Sequence, residues 1–122
     1  MSSIASTSKR MDVMTKMFES FIEELSSATR TIVEKQLKKV KENKFGNCKK
    51  LRTFNNHDST IVLSECVINY GPGYRVYFIV NDGEVKFLTG GTKKTQHKDI
   101  NFTRSLLESG MLCSVNAPKA QA

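Results

Sequence analysis

The chain has 122 residues, of which 39% are hydrophobic and 25% charged, so it is long enough for one domain with a modest core and too apolar for general disorder. Its net charge of +7 favours an anionic partner, such as nucleic acid or an acidic protein. No apolar stretch is long enough to span a bilayer and residues 1–10 lack the apolar region of a signal peptide, so a cytoplasmic protein without a membrane partner is expected. We expect a single domain over residues 1–122, ordered from about residue 10 to about residue 110, with flexible ends at residues 1–9 and 114–122.

The first third of the chain shows helical spacing of apolar residues. The spacing predicts one helical segment from Met14 to Leu25 and a second from Ile32 to Val40. The Ser and Thr residues between Ser26 and Thr31 are poor helix formers and good caps, so they predict a bend and the start of the second helix. The segment Glu42 to Asn47 suits a helix stop, because it contains a glycine followed by an asparagine.

The positive charge is concentrated in one segment. Nine basic and two acidic residues lie between positions 30 and 52, a surplus equal to the whole net charge. Such a run is either a solvated helix face or a surface that binds a polyanion. Its candidate RNA-binding residues are Lys38, Lys39, Lys41, Lys49, Lys50 and Arg52.

From residue 49 onward the helical spacing of apolar residues is lost. Ile61 to Ile68 and Tyr74 to Val80 are rich in β-branched and aromatic residues, which predicts two strands. Asn81 to Gly83 predicts a tight turn into a third strand, Glu84 to Thr89, and thus an antiparallel meander. Helical spacing returns from Asp99 to Ser109.

A stop for this last helix is predicted at Gly110, and Val115 to Ala122 is expected to be unstructured. The order of helices, strands and a short helix predicts an α+β fold, in which two N-terminal helices pack on one face of a small antiparallel sheet. Strand alternation places Tyr74 in the core and directs Arg75 and Tyr77 to the opposite face, where they are expected to line a cleft.

The cysteines and histidines give no sign of a metal site. Cys48, Cys66 and Cys113 are widely spaced, which predicts free thiols in a reducing compartment. His57 and His97 stand alone, so no metal and no cofactor are expected.

Two central motifs carry a resemblance to a known family. Ser64 to Phe78, followed by Leu88 to Gln96 and Lys98 to Ile100, resembles the HigB-like addiction-module killer proteins of the RelE/ParE toxin superfamily. The apolar pattern from Thr15 to Leu25 is similar to the entry into that family's first helix, and the resemblance covers about residues 15 to 109.

The resemblance implies a RelE/ParE-like fold with a β-strand at Arg10 to Thr15, before the helix pair. It implies a toxin of a type II toxin–antitoxin module that cleaves ribosome-bound mRNA without a metal. An acidic antitoxin of the DNA-binding helix-turn-helix type would hold such a toxin inactive. The sequence departs from the family at Val67, where Arg is usual, and at Thr92 and Lys94, where Asp and Ser are common.

Metal-free RNA cleavage must activate a 2′-hydroxyl, stabilise charge on the phosphate and protonate the leaving 5′-oxygen. Arg75 suits the second task, because a guanidinium matches phosphate geometry; the alternative is a surface Arg paired with Glu84 across the hairpin. Because strand alternation directs Arg75 away from the core face, we expect Arg75→Ala, like Lys93→Ala, to abolish toxicity and to leave thermal stability nearly unchanged.

Three further residues complete the candidate site. Lys93 follows a predicted Gly-Gly turn with Lys94, and the pair either acts on a phosphate or is a solvated basic turn. Tyr77 is a candidate for stacking on a base or donating a proton. Gln96 would either bind a base edge or cap the last helix.

Three functions fit these residues. The first is the mRNA endonuclease described above. The second is a non-catalytic inhibitor of DNA gyrase of the ParE kind, which shares the same fold. The third is a degenerate homologue that retains only antitoxin binding.

Overall fold

The computed structural model describes residues 16–55 and 60–108. The predictions for Arg10 to Thr15, Gly110, the tail from Val115 and the two flexible ends all lie outside these residues. The elements are a helix over residues 16–23 (α1), α2 (Ser27–Lys41), β1 (Cys48–Asn55), β2 (Thr60–Ile68), β3 (Tyr74–Asn81), β4 (Glu84–Thr92), a single 3₁₀ turn (Lys93–Thr95) and α3 (Gln96–Leu106).

The predicted bend between the first two helices is confirmed. Ser26 is the N-cap of α2, and its hydroxyl oxygen accepts a hydrogen bond from the Thr29 amide at 3.3 Å. The helix ends at Lys41, and the chain leaves it through Asn43, which adopts a left-handed conformation with φ 64°. Asn43, not the predicted Gly46, therefore provides the sharp change of direction.

The sheet is an antiparallel meander with the strand order β1-β2-β3-β4, and the predicted α+β fold is confirmed. Positive φ angles at Asp82 and Gly83 turn the chain from β3 into β4, as the sequence predicts. β4 continues through Gly90 and Gly91 to Thr92, so the prediction of a Gly-Gly turn was wrong. Because the two glycines pair with Val76 and Arg75, they belong to the ladder.

The sheet is covered on both faces. On one face Val33, Leu37 and Val40 of α2 pack against Cys66, Val76 and Phe78. On the other face Leu63, Ile79 and Leu88 pack against Leu107, at the end of α3. The expectation of an open cleft at Arg75 and Tyr77 was wrong, because this apolar row requires a cover and α3 provides it.

Gly90 allows α1 to lie directly on β4. A Cβ atom at this position would lie 2.5 Å from the ring of Phe21. We therefore expect Gly90→Ala to lower the free energy of unfolding by about 1–3 kcal/mol through overpacking, measured by urea denaturation. Gly46→Ala is the matched control, because a Cβ there would meet no atom within 4 Å. Equal effects of the two substitutions would contradict this packing of α1.

Candidate active site

A cluster of polar side chains is buried between the sheet and the start of α3. Glu65 in β2 lies directly opposite Tyr77 in β3, and Arg75 lies two residues before Tyr77 on the same face. Glu65 and Tyr77 are fully buried, and the Arg75 side chain is 10% exposed. Three polar groups with acid–base or charge-stabilising chemistry therefore share one interior location.

The contacts within this cluster leave hydrogen-bonding capacity unused. The Gln96 side-chain amide, in the first turn of α3, donates to Glu65 Oε2 at 2.8 Å. Arg75 Nε lies 4.0 Å from the same oxygen. Among the described residues, Glu65 Oε1, Arg75 Nε and the Tyr77 hydroxyl have no hydrogen-bond partner although all three are buried. Because buried polar groups are normally paired, this concentration marks a candidate functional site.

The surroundings of Tyr77 favour the protonated form of its hydroxyl. Burial first, and then the negative charges of Glu65 and Asp99, raise the pKa of the Tyr77 hydroxyl above its ordinary value. The hydroxyl therefore stays protonated at neutral pH and can act as a donor. Its ring is enclosed, so the predicted stacking on a base does not fit this arrangement.

Arg75 does not pair with Glu84, which was the alternative partner predicted from the sequence. Glu84 lies at the end of the hairpin, opposite Asn81, whereas the ion pair of Arg75 is with Glu65. The prediction that Arg75→Ala leaves stability unchanged assumed an exposed side chain, and the burial of Arg75 contradicts that assumption. Removal of this side chain would leave a carboxylate buried without its cation.

Lys93 lies beside the edge of the cluster. Its amide donates to the Gly73 carbonyl at 2.7 Å, which holds the 3₁₀ turn against the entry to β3. A Cβ at Gly73 would lie 3.6 Å from Lys93 Cβ and 4.0 Å from Arg75 Nη1, so Lys93 and Arg75 both lie next to this glycine. Lys93 and Lys94 are both exposed. Lys93 therefore provides an exposed cation beside the buried Arg75.

Gly91 lets α3 start directly above the cluster. It lies opposite Arg75, and a Cβ there would collide with the side chains of Asp99 and Thr95. The Thr95 hydroxyl donates to Asp99 Oδ2 at 2.7 Å and thereby fixes the first turn of α3. This close approach brings Gln96 over Glu65, so its side chain holds the cluster closed and does not provide the expected cap of α3.

Glu65 is the residue that the sequence reasoning missed. It stands in the apolar run of β2, where a charged residue is unusual unless it is paired. That isolated carboxylate in a strand buried on both faces was the available signal. Among the predicted site residues, the structure brings Arg75, Tyr77 and Gln96 together around it.

The basic run is divided between two faces of the sheet. Lys38, Lys39 and Lys41 occupy the last turn of α2, where they also complement the helix dipole, on the face opposite Arg75. Lys49 in β1 lies opposite Glu65 and shares its face. Lys50 and Arg52 follow in the same edge strand, and Arg52 forms a 2.7 Å ion pair with Glu108. The run is therefore not a single surface that continues to Arg75.

Within residues 16–55 and 60–108, no group of three or more His, Cys, Asp or Glu side chains is placed to hold a metal ion. No helix in this part of the chain is long and apolar enough to cross a membrane. Comparison with protein-family models, with curated protein sequences and with solved structures found no match for the chain.

Proposed function

We propose that this chain is the toxin of a type II toxin–antitoxin module and cleaves ribosome-bound mRNA without a metal. The observation that carries the proposal is the buried cluster of Glu65, Arg75 and Tyr77, whose unused hydrogen-bonding groups lie beside the exposed Lys93. The same three residues offer a carboxylate, a guanidinium and a protonated phenol. These are the groups that the three tasks of RNA cleavage require.

Each group has a role in a simple displacement. Glu65 accepts the proton of the 2′-hydroxyl, and the 2′-oxygen attacks phosphorus. Arg75 stabilises the charge that develops on the phosphate oxygens. The bond to the 5′-oxygen breaks as Tyr77 donates its proton to it, which leaves a 2′,3′-cyclic phosphate on the upstream fragment. Lys93 adds a second positive charge beside the reacting phosphate, and Lys94 binds a neighbouring one.

RNA can reach these groups only when the cover over them moves. The hydrogen bond from Gln96 to Glu65 closes the cluster from the side of α3. An enzyme that depends on the ribosome to position its substrate needs little pocket of its own, so a site that opens only against a bound mRNA fits the proposal. The acidic antitoxin expected from the resemblance would be the partner that keeps the toxin inactive.

A second candidate is a homologue that binds the antitoxin and does not cleave RNA. Val67 lies directly opposite Arg75, at the position where the resembled family usually has Arg. Without that second cation, Arg75 can serve as the structural partner of Glu65 alone. The inhibitor of DNA gyrase remains a third candidate, because the resembled superfamily contains both kinds of toxin on one fold.

Induced expression with two readouts separates these candidates. We expect the wild-type chain to stop growth and create new mRNA ends, mapped by sequencing, while DNA gyrase keeps its supercoiling activity. Lys93→Ala should reduce cleavage by about 100- to 1000-fold if Lys93 stabilises the phosphate. Lys86→Ala is the matched control. Lys86 is also an exposed lysine, but it lies near the start of β4, whereas Lys93 follows the end of that strand.

Two results would contradict the RNA proposal. Loss of supercoiling without new mRNA ends would support the gyrase inhibitor. Growth that continues in the presence of a folded, abundant chain would support the homologue that only binds an antitoxin.

A further inference from the structure

Two cysteines face each other across the first pair of strands. Cys48 in β1 and Cys66 in β2 are direct cross-strand partners on the face covered by α2. The Val67 amide donates to the Asn47 carbonyl at 2.9 Å, which makes Cys48 and Cys66 a pair without hydrogen bonds between their own backbones. In such pairs the Cα atoms lie about 4.5 Å apart, a separation that a disulfide can span.

The pair is accessible to a small reagent. Both cysteines line a cavity of about 210 Å³ whose wall includes Lys39 and Lys44. Cys48 is half-buried, whereas Cys66 is 1% exposed. Both are free thiols in the structure. Burial raises the pKa of both thiols, that of Cys66 to about 12, so both stay protonated at neutral pH and react slowly. Cys48 is the more exposed of the two and is therefore the thiol that reacts first.

We infer that hydrogen peroxide oxidises Cys48 and Cys66 to a disulfide, and that a reductant reverses the reaction. The Cys48 sulfur attacks one peroxide oxygen, the O–O bond breaks, and the departing oxygen leaves as water with the Cys48 proton. This step gives a sulfenic acid on Cys48. The Cys66 sulfur then attacks the Cys48 sulfur; the S–S bond forms, the S–O bond breaks, and the hydroxide leaves as a second water with the Cys66 proton. Two thiols are oxidised by two electrons, and one peroxide is reduced to two waters.

The disulfide would link the edge strand β1 covalently to β2 next to Glu65. The loop between the two cysteines spans 17 residues, so the cross-link removes conformational freedom from the unfolded chain. The oxidised chain should therefore unfold at a temperature roughly 10 °C higher than the reduced chain. A reductant such as dithiothreitol should reverse the shift.

The test uses the full chain with Cys113→Ser, so that only the two paired thiols remain. The chain is treated with equimolar hydrogen peroxide, quenched with catalase, denatured and alkylated with iodoacetamide. Intact mass spectrometry should show a monomer about 2 Da lighter with no added carbamidomethyl group. Reduction before alkylation should restore two alkylated thiols.

Cys48→Ser and Cys66→Ser, each in the same background, are the controls. Neither should show the loss of about 2 Da, and each should keep its melting temperature after peroxide treatment. The inference is overturned if peroxide leaves both thiols open to alkylation, if it carries them to sulfinic acids, or if the only disulfides join two chains.

Discussion

Arg75→Ala is expected to lower the free energy of unfolding by about 3–5 kcal/mol, measured by urea denaturation at pH 7. Glu65 is completely buried, and Arg75 is the cation beside it at 4.0 Å. Glu65 Oε1 already lacks a hydrogen-bond partner among the described residues. Loss of the guanidinium therefore leaves a desolvated carboxylate with the Gln96 amide alone, which is far costlier than the loss of a surface contact.

Two variants isolate the buried charge as the cause. The double variant Glu65→Gln, Arg75→Ala should be less destabilised than Arg75→Ala alone, because a neutral amide needs no cation. The coupling free energy between the two substitutions should be about 0.5–3 kcal/mol. Arg52→Ala removes a shorter ion pair, 2.7 Å to Glu108, in which both side chains are more than 40% exposed. That surface variant should cost under about 1 kcal/mol. If Arg75→Ala and Arg52→Ala cost the same, the buried pair is not what holds this region together.

Alkaline pH is expected to destabilise the fold steeply. Burial is the main cause that raises the pKa of Tyr77 above its ordinary 10.0 and that of Cys66 from 9.0 to about 12. Each group holds its proton more tightly in the folded chain than in the unfolded chain. The unfolded state therefore releases protons first as pH rises, and stability falls by about 1.4 kcal/mol per pH unit for each group. The Cys66 contribution begins above about pH 9 and the Tyr77 contribution above about pH 10.

Single substitutions divide this alkaline loss between the two groups. Tyr77→Phe should remove the part that begins above about pH 10, because it removes the hydroxyl that titrates there. Cys66→Ala should remove most of the part that begins above about pH 9, on top of a loss of packing at every pH; Cys48, whose pKa is also raised, contributes the rest. Tyr70→Phe, at a tyrosine 41% exposed, is the control. Urea denaturation from pH 8 to pH 12 gives the slopes; a flat profile between pH 9 and pH 11 would contradict the enclosure of both groups.

Local sequence patterns predict most of the elements because each depends on near neighbours. Ser26 caps α2 through an amide three residues away, and Asp82 with Gly83 closes the hairpin through its own backbone angles. β1 escaped prediction because its exposed edge carries lysines and only Phe54 is buried. Such an edge strand lacks apolar alternation, and its lysines also discourage pairing with another chain.

The candidate site could be predicted only in part because its geometry depends on distant pairings. Strand alternation correctly separated Arg75 from the face of Val76, yet it could not show that α3 covers that side. The cover depends on Gly91, whose missing side chain admits Asp99. The contact of Gln96 with Glu65 joins residues 31 apart in sequence, which no local pattern encodes.

Cleavage by the purified chain of an mRNA held in a ribosome tests the role of the buried cluster directly. We expect discrete fragments whose upstream piece ends in a 2′,3′-cyclic phosphate, and a rate at least about 100-fold slower for Glu65→Gln. Lys86→Ala should cleave at the wild-type rate. Intact mRNA after incubation with the folded wild-type chain, or equal cleavage by Glu65→Gln, would contradict the assignment of the buried cluster as an RNA-cleaving site.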